Sequence, residues 1–520
     1  YGMTASSFAE ASVPNEFQEV SNIQLTESFL HSINPYSEDG AFGRDEPGVL
    51  YAYGPVYSLI TAGLAKVFPV DLILLHYVVS YIAMLAAAFL GAWIVKERTD
   101  TLLASATVFC ILINCTWRYG YVNAVPDALG FFWMMLVMFI ETRGKIKHKE
   151  LLEIIVIILA FHTKIYMAYI AAPVFVFKLI SNRKDAFKFF TYGVSLLVVS
   201  SAILTYFCPL IWSYYIYFLH GPFEASVSDV SGNNSAWDVL MFRNTTDPES
   251  GLGYEILQLR SIIGMFVFFF AVAAAGVLEH VKNRFRRLEP VTGLLLLDFI
   301  VSIPVMYVLG TNDGAWLSYY LQIQIPPLVM FGMIYAEGKC LESRGLLGRV
   351  LLNIVLVSMT GFTLLRTGQR LPYYYMLPEQ KLIWEDAYKT IEEYSKKGEI
   401  YYSPILAFNA EQNGRYYYNN GYVGAASEEL YSEYLNTDWE QKMFPYAGDV
   451  MKKHLDYRKE LEEKIKEGGY ELIMVNEGVD GTDRAIRIRS ITEGPYILLK
   501  EVYMPVSREC FPVRFYVLKD

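Results

Sequence analysis

Apolar and polar residues alternate on two different scales along the chain. Between residues 70 and 366 the apolar residues form long runs separated by short charged segments. Beyond Arg366 the runs shorten and charges interleave with them. A helix that crosses a bilayer needs roughly 20 largely apolar residues, with about 17 as a lower bound. The stretches 72–95, 189–207, 261–279, 291–309, 319–337 and 350–366 meet that length, and 101–117 and 126–142 are shorter but qualify. Residues 150–180 are apolar except for Phe161-His162-Thr163-Lys164 in their middle. A lysine at mid-bilayer is costly. This region therefore predicts two short helices, 150–163 and 165–180, meeting at one membrane face. The pattern predicts ten spans.

Loop charges test that count, because Lys and Arg accumulate on the cytoplasmic side of a membrane protein. One set of alternate loops carries sixteen of them, from Lys96 to Arg349, and the opposite set carries four: Arg118, Lys164, Arg243 and Arg260. A wrong count would break that phase. Residues 1–70, the loop 208–260 and the tail 367–520 are therefore expected on the outer face. With no secretory leader visible, an outward N-terminus implies a first spanning helix ahead of Tyr1.

The tail follows other periods. Residues 384–397 and 452–467 read as charged amphipathic helices, and 471–476, 496–500 and 513–518 read as strands. About 150 residues suffice for one small α/β domain. The fold class expected is a polytopic α-helical membrane protein with a small C-terminal extracytoplasmic α/β domain. Its parts are an outward segment 1–70 with juxtamembrane helices, a transmembrane bundle 71–366 and the outer domain 367–520.

Composition narrows the function. The chain is 53% hydrophobic and 19% charged, against about 45–50% and about 25% in ordinary soluble domains, so a purely soluble enzyme is excluded. A formal net charge of −10 argues against nucleic acid as a partner. The five cysteines, Cys110, Cys115, Cys208, Cys340 and Cys510, have no metal-ligand or redox spacing, and the seven histidines include no His-x-x-x-His pair. Neither a zinc site nor a redox motif is therefore expected.

In such a protein the informative residues are ionisable groups at the ends of spans or within them. They gather on the outer side. The N-terminal segment carries Asn15-Glu16 and Glu19, then a helical stretch to Leu30, Asn34-Pro35-Tyr36 and Tyr53-Gly54-Pro55-Val56-Tyr57, the last opening a short helix. Helix 126–142 begins with Val125-Pro126-Asp127, where the acid also suits a helix N-terminus on electrostatic grounds alone. His162-Thr163-Lys164 closes a helix at the same face. Its lysine either snorkels to headgroups or holds a lipid phosphate. Ser318-Tyr319-Tyr320-Leu321-Gln322-Ile323-Gln324 starts a late span, where amides need partners within the bundle or a wet cavity. Asp298 lies inside a span.

In their order these features resemble the GT-C class of membrane glycosyltransferases, in particular the bacterial polyprenyl-phosphate-sugar-dependent type related to lipid A aminoarabinose transferases and protein O-mannosyltransferases. That group is similar in its early acidic pair, Asn-Pro-Tyr segment, Tyr-Gly-Pro-Leu-Tyr-like helix and Arg-Pro-Asp helix start. A Thr-Lys helix end and a Tyr-rich start to a late span complete the likeness, which covers roughly residues 14–366. Here Asn15 stands where the leading acid is usual, Val125 where an arginine is, and Gln322 where an acid is.

The resemblance implies an inverting transfer of a sugar from a polyprenyl-phosphate donor to a glycan, lipid or protein acceptor on the outer face of the plasma membrane. The base is then Glu16 or Glu19, with Asp127 orienting the acceptor. Lys164 or Arg118 supplies the cation for the leaving phosphate, and His162, Tyr53, Tyr57, Tyr319, Tyr320 and Gln322 line the substrate site. A divalent cation, Mg2+ or Mn2+, shared by Glu16 and Asp127, stays open as a cofactor. Three other readings remain, one of them a catalytically inactive receptor or assembly protein of the same fold. A transporter or flippase of lipid-linked sugars would place polar groups at the midplane on broken helices with internal repeats; no repeat is visible, though Asp298 would suit it. A polysaccharide polymerase would carry more outer cations.

Overall fold

Each apolar stretch singled out above is helical. The computed structural model describes residues 17–42, 53–99, 101–117, 123–144, 146–218, 252–282, 290–310, 320–342, 346–370, 378–402, 406, 428–476, 488–506 and 509–519. It opens with α1 (Phe17–Leu30), the short α2 (Glu38–Phe42) and α3 (Pro55–Ala65), followed by α4 (Leu72–Lys96), α5 (Leu102–Trp117) and α6 (Asp127–Thr142). Then come α7 (Lys149–Thr163), a 3-10 turn (Ile165–Ile170), α8 (Ala171–Ser181), α9 (Arg183–Phe207) and a π-helical turn (Ser213–Phe218). The bundle is completed by α10 (Leu252–Lys282), α11 (Pro290–Gly310), a second π turn (Tyr320–Gln324), α12 (Ile325–Glu342) and α13 (Leu346–Arg370).

Several boundaries differ from the sequence reading for local reasons. The helix expected from 189 begins at Arg183, because Asn182 caps it by accepting a hydrogen bond from the Lys184 N–H at 3.1 Å. Helix α10 starts at Leu252, inside the expected loop 208–260. The late span opens with a π turn, the geometry that often marks functional segments of helices. Among the described residues, α4 and α9 are long and apolar enough to cross a membrane by themselves, and the other apolar helical stretches, such as Phe266–Glu279, Pro290–Met306 and Arg349–Leu365, are shorter.

One continuous apolar core runs from α3 to α13. Helix α4 sits at its centre, against α5 and α6. Gly91 permits that approach: a Cβ there would lie 2.5 Å from Leu112 of α5 and 3.0 Å from Met135 of α6. Polar side chains link helices where they meet. Asn114 donates to the Thr363 carbonyl at 3.3 Å, and the Thr360 and Thr107 hydroxyls are 3.0 Å apart, joining α5 to α13. At the end of the bundle opposite Lys164, the buried Lys178 ammonium lies 2.5 Å from Glu141 and 3.0 Å from Glu153, tying α6, α7 and α8 together.

Beyond the bundle come α14 (Pro378–Ser395), β1 (Ile400–Tyr401), α15 (Glu428–Leu435), α16 (Asp438–Met443), α17 (Ala447–Lys466), β2 (Leu472–Asn476), α18 (Ile488–Glu493), β3 (Tyr496–Val506) and β4 (Glu509–Leu518). The strands form a sheet of order β1-β2-β4-β3, parallel between β1 and β2 and antiparallel elsewhere. Alternation along β2 explains its unbroken apolar run. Leu472 and Met474 pack with Trp384 and Ile391 of α14, whereas Ile473 and Val475 pack with Leu461 and Ile465 of α17. Both faces are covered, so the four positions from Leu472 to Val475 are all apolar.

The opposite end of α17 rests on the bundle. Val450, Met451 and Leu455 share a core with Leu25 of α1, Tyr36, Leu210, Ile211, Tyr214 and Tyr215. The Glu38 carboxylate beside Tyr446 raises that phenol above its ordinary range.

Candidate active site

The site is assembled around the start of α6 and the end of α7. Pro126 occupies the helix start in an ordinary helical conformation, so that Asp127 falls in the first turn. Its side chain makes no cap bond. Instead Oδ1 accepts a hydrogen bond from Lys164 Nζ at 2.8 Å, with both residues only 5% exposed. Lys164 can reach it because α7 stops at Thr163. The Lys164 backbone is extended (φ −156°, ψ 115°), and its carbonyl accepts the Met167 N–H of the following 3-10 turn at 2.9 Å. The ammonium also stands over the rings of Tyr53, 4.6 Å from the centroid, and Tyr166, at 5.1 Å.

Tyr53 is held there by Gly54. The Gly54 N–H donates to the Thr163 carbonyl at 3.2 Å, and a Cβ on Gly54 would lie 1.8 Å from the His162 carbonyl oxygen. Pro55 then opens α3. Tyr57, one turn on, is buried. Its hydroxyl donates to the His76 carbonyl at 3.1 Å and lies 2.9 Å from the Ser80 hydroxyl, which donates to the Asn123 carbonyl at 2.8 Å. Tyr57 thus pins α3 to α4 and to the turn that leads into Asp127.

Glu19 braces the same turn from α1. It is fully buried, accepting from the Tyr77 hydroxyl at 3.0 Å and from the Ala124 N–H at 2.8 Å. Further along α1, burial raises the Glu27 carboxyl above the ordinary carboxylate range. A carboxylate that accepts two hydrogen bonds contributes through its charge as well as its geometry, about 1.5–3 kcal/mol per charged hydrogen bond. Glu19→Gln is accordingly expected to cost ~2 kcal/mol. Thermal unfolding in detergent measures this, and an unchanged midpoint would show that Glu19 does not brace the turn.

The remaining expected site residues divide in two. His162 is buried beside Gly54, and Gln322 is buried in the second π turn, with no hydrogen-bond partner for either amide atom among the described residues. Tyr169 of the 3-10 turn donates to the neighbouring Ile323 carbonyl at 3.2 Å, which brings that π turn to the segment after Lys164. Glu16, Arg118, Tyr319 and the side chain of Tyr320 lie outside the described residues.

Sequence reasoning missed Tyr77, Ser80 and Tyr215, which support or face the site. Their only signal was hydroxyl-bearing residues near span ends, too common in a chain with 40 tyrosines to single out. Among the described residues no three His, Cys, Asp or Glu side chains gather as metal ligands. Asp127 faces the chain's own cation, Lys164, and Glu16, the other carboxylate expected to share a divalent cation, lies outside the described residues.

No known protein family matches the sequence, and no curated protein does. Among solved structures, the crystal structure of ArnT from Cupriavidus metallidurans bound to undecaprenyl phosphate matches with a TM-score of 0.50 at 11% identity, over 99% of this chain and 96% of that one. The chain has the ArnT fold. ArnT is a GT-C lipid A aminoarabinose transferase, so the GT-C resemblance read from the motifs holds at the level of architecture. The apo state of ArnT matches at a TM-score of 0.48, with 11% identity over 99% of this chain and 96% of that one. The Archaeoglobus fulgidus oligosaccharyltransferase matches at 0.40, with 11% identity over 85% of this chain and 57% of that one.

Proposed function

We propose that the protein is an integral membrane glycosyltransferase that transfers a sugar from a polyprenyl-phosphate donor to an acceptor on the outer face of the membrane. The observation that carries this reading is the buried Lys164 ammonium at the junction of α7 and the 3-10 turn, set within an ArnT-like fold. The crystallised ArnT holds undecaprenyl phosphate. Ten spans, with residues 1–70 and the tail outside, follow from the loop charges. The apolar side chains that α9 leaves uncovered, Phe187, Val198, Ile203 and Tyr206 among them, are suited to lipid contact.

The chemistry follows from the pair. The donor's phosphate and Asp127 compete for one ammonium, so donor binding draws Lys164 away and releases the Asp127 carboxylate beside the acceptor. The acceptor oxygen then forms a bond to the sugar's anomeric carbon while the bond from that carbon to the phosphate oxygen breaks. A carboxylate takes the acceptor's proton, and Lys164 stabilises the negative charge growing on the departing polyprenyl phosphate. Glu16 is the proposed base; Glu19, already spent on Tyr77 and Ala124, positions the turn.

A second reading, a flippase of lipid-linked sugars, draws on Asp298, whose buried Oδ1 has no hydrogen-bond partner among the described residues. One assay separates the two. The purified protein is given polyprenyl-phosphate sugars, and transfer or slow hydrolysis is followed. Glu16→Gln and Asp127→Asn are each expected to lower kcat by about 10²-fold or more. Full turnover in both variants would remove the proposed roles, and donor movement across liposomes without any turnover would favour the flippase.

A further inference from the structure

Two buried polar side chains beside the Lys164–Asp127 pair have no hydrogen-bond partner among the described residues. Neither ring nitrogen of His162 makes a hydrogen bond, nor does the hydroxyl of Tyr215, and the two residues are 5% and 0% exposed. They are neighbours. Their ring centroids lie 6.5 Å apart, and the Tyr215 hydroxyl closes on Gly54, 2.6 Å from where a Cβ would stand. Gly54 follows Tyr53, whose ring faces the Lys164 ammonium. The Tyr215 hydroxyl and the Lys164 ammonium therefore flank a single dipeptide, with the His162 ring packed beside Tyr215. Aromatic rings enclose them, Phe161 at 4.9 Å from His162 and Trp212 at 6.3 Å from Tyr215.

As packing alone, this arrangement is a poor choice. A buried hydroxyl or imidazole without a partner destabilises the fold, and phenylalanine would fill the Tyr215 position with nearly the same volume. The orphaned set has a definite character. A neutral imidazole presents one N–H donor and one lone pair, and a phenol donates or accepts. An alcohol, which both donates and accepts, satisfies that set; an anion asks for donors only and is served by Lys164. The surrounding aromatic faces suit the C–H surface of a sugar.

We propose that His162 and Tyr215 form a subsite that binds a hydroxyl of the sugar carried by the donor, alongside the phosphate position at Lys164. This rests on the glycosyltransferase reading and assigns Tyr215, on the π turn after α9, a role in sugar recognition. It also links recognition to the C-terminal part of the chain, because Tyr215 shares its core with Val450, Met451 and Leu455 of α17.

The test uses the full chain in detergent and two kinds of probe: undecaprenyl phosphate alone, and undecaprenyl phosphate carrying a hexose or an aminopentose. The unaltered protein is expected to bind one of the sugar-bearing lipids more tightly than the bare one. Tyr215→Phe is expected to weaken that lipid about 10-fold and leave the bare lipid unchanged, while its Tm stays level or rises. His162→Phe should repeat the pattern. A Tyr215→Phe variant that binds both lipids as the unaltered protein does, or that loses both equally, overturns the subsite. If the unaltered protein binds neither lipid, the glycosyltransferase reading itself falls.

Discussion

Asp127→Ala is expected to cost about 3–5 kcal/mol of stability, because it removes the carboxylate that balances the Lys164 ammonium in a site that water barely reaches. The same change should lower turnover about 10²-fold or more, by removing a carboxylate placed at the acceptor. The two effects separate in a double replacement. Asp127→Leu with Lys164→Met removes both charges together, so most of the lost stability should return. Turnover should not return, because the leaving phosphate then lacks the Lys164 cation. Thermal unfolding and donor turnover on the unaltered protein, Asp127→Ala and the double variant measure both. Recovery of turnover along with stability would mean that the pair is purely architectural.

Gly54→Ala should be nearly as damaging through a different cause. The backbone at Gly54 is ordinary (φ −70°, ψ 159°), so glycine is not required there for its conformational freedom. It is required for space. An added Cβ would meet the His162 carbonyl oxygen at 1.8 Å, its carbon at 2.3 Å and the Tyr215 hydroxyl at 2.6 Å, and two of these are backbone atoms that cannot swing aside. The strip 53–55 must therefore move outward, carrying Tyr53 off the Lys164 ammonium and breaking the hydrogen bond to Thr163. Overpacking of this kind costs about 1–3 kcal/mol or more. A shift of about 1 Å beside reacting atoms can cost about 10²-fold in rate. Wild-type turnover and stability in Gly54→Ala would show that the strip is free to move and does not position the site.

The helices were legible in the sequence because their cause is local. An apolar run of spanning length makes a helix wherever it lies, and the interruption at His162-Thr163-Lys164 correctly divided 150–180 into two. The strands 471–476, 496–500 and 513–518 were equally visible, since β-branched and aromatic runs bounded by turn residues report their own state. The starts of α9 and α10 were less visible. There a polar cap and a charged first turn extended the helices beyond their apolar cores, which a hydropathy reading stops short of.

The site was legible by residue type rather than by partnership. Asp127 and Lys164 stood out because ionisable groups at span ends are rare. Each was read in a separate role, one facing the acceptor and the other the lipid phosphate. In the folded chain they meet each other. Tyr57 was read as a groove residue, yet it is buried between α3 and α4 with its hydroxyl bonded to Ser80 and His76.

Pattern alone thus determined which long apolar segments are helical and where the bundle gives way to the sheet-bearing tail. Tertiary structure alone decided that Lys164 pairs with Asp127 across 37 residues of sequence, that Glu19 braces Ala124 across 105, and that Gly54 lies against His162. The physical reason is one of range. Helix formation and hydropathy depend on neighbours within a few turns. Buried charges and hydrogen bonds are settled by distances in space, which helix packing sets and residue spacing does not encode.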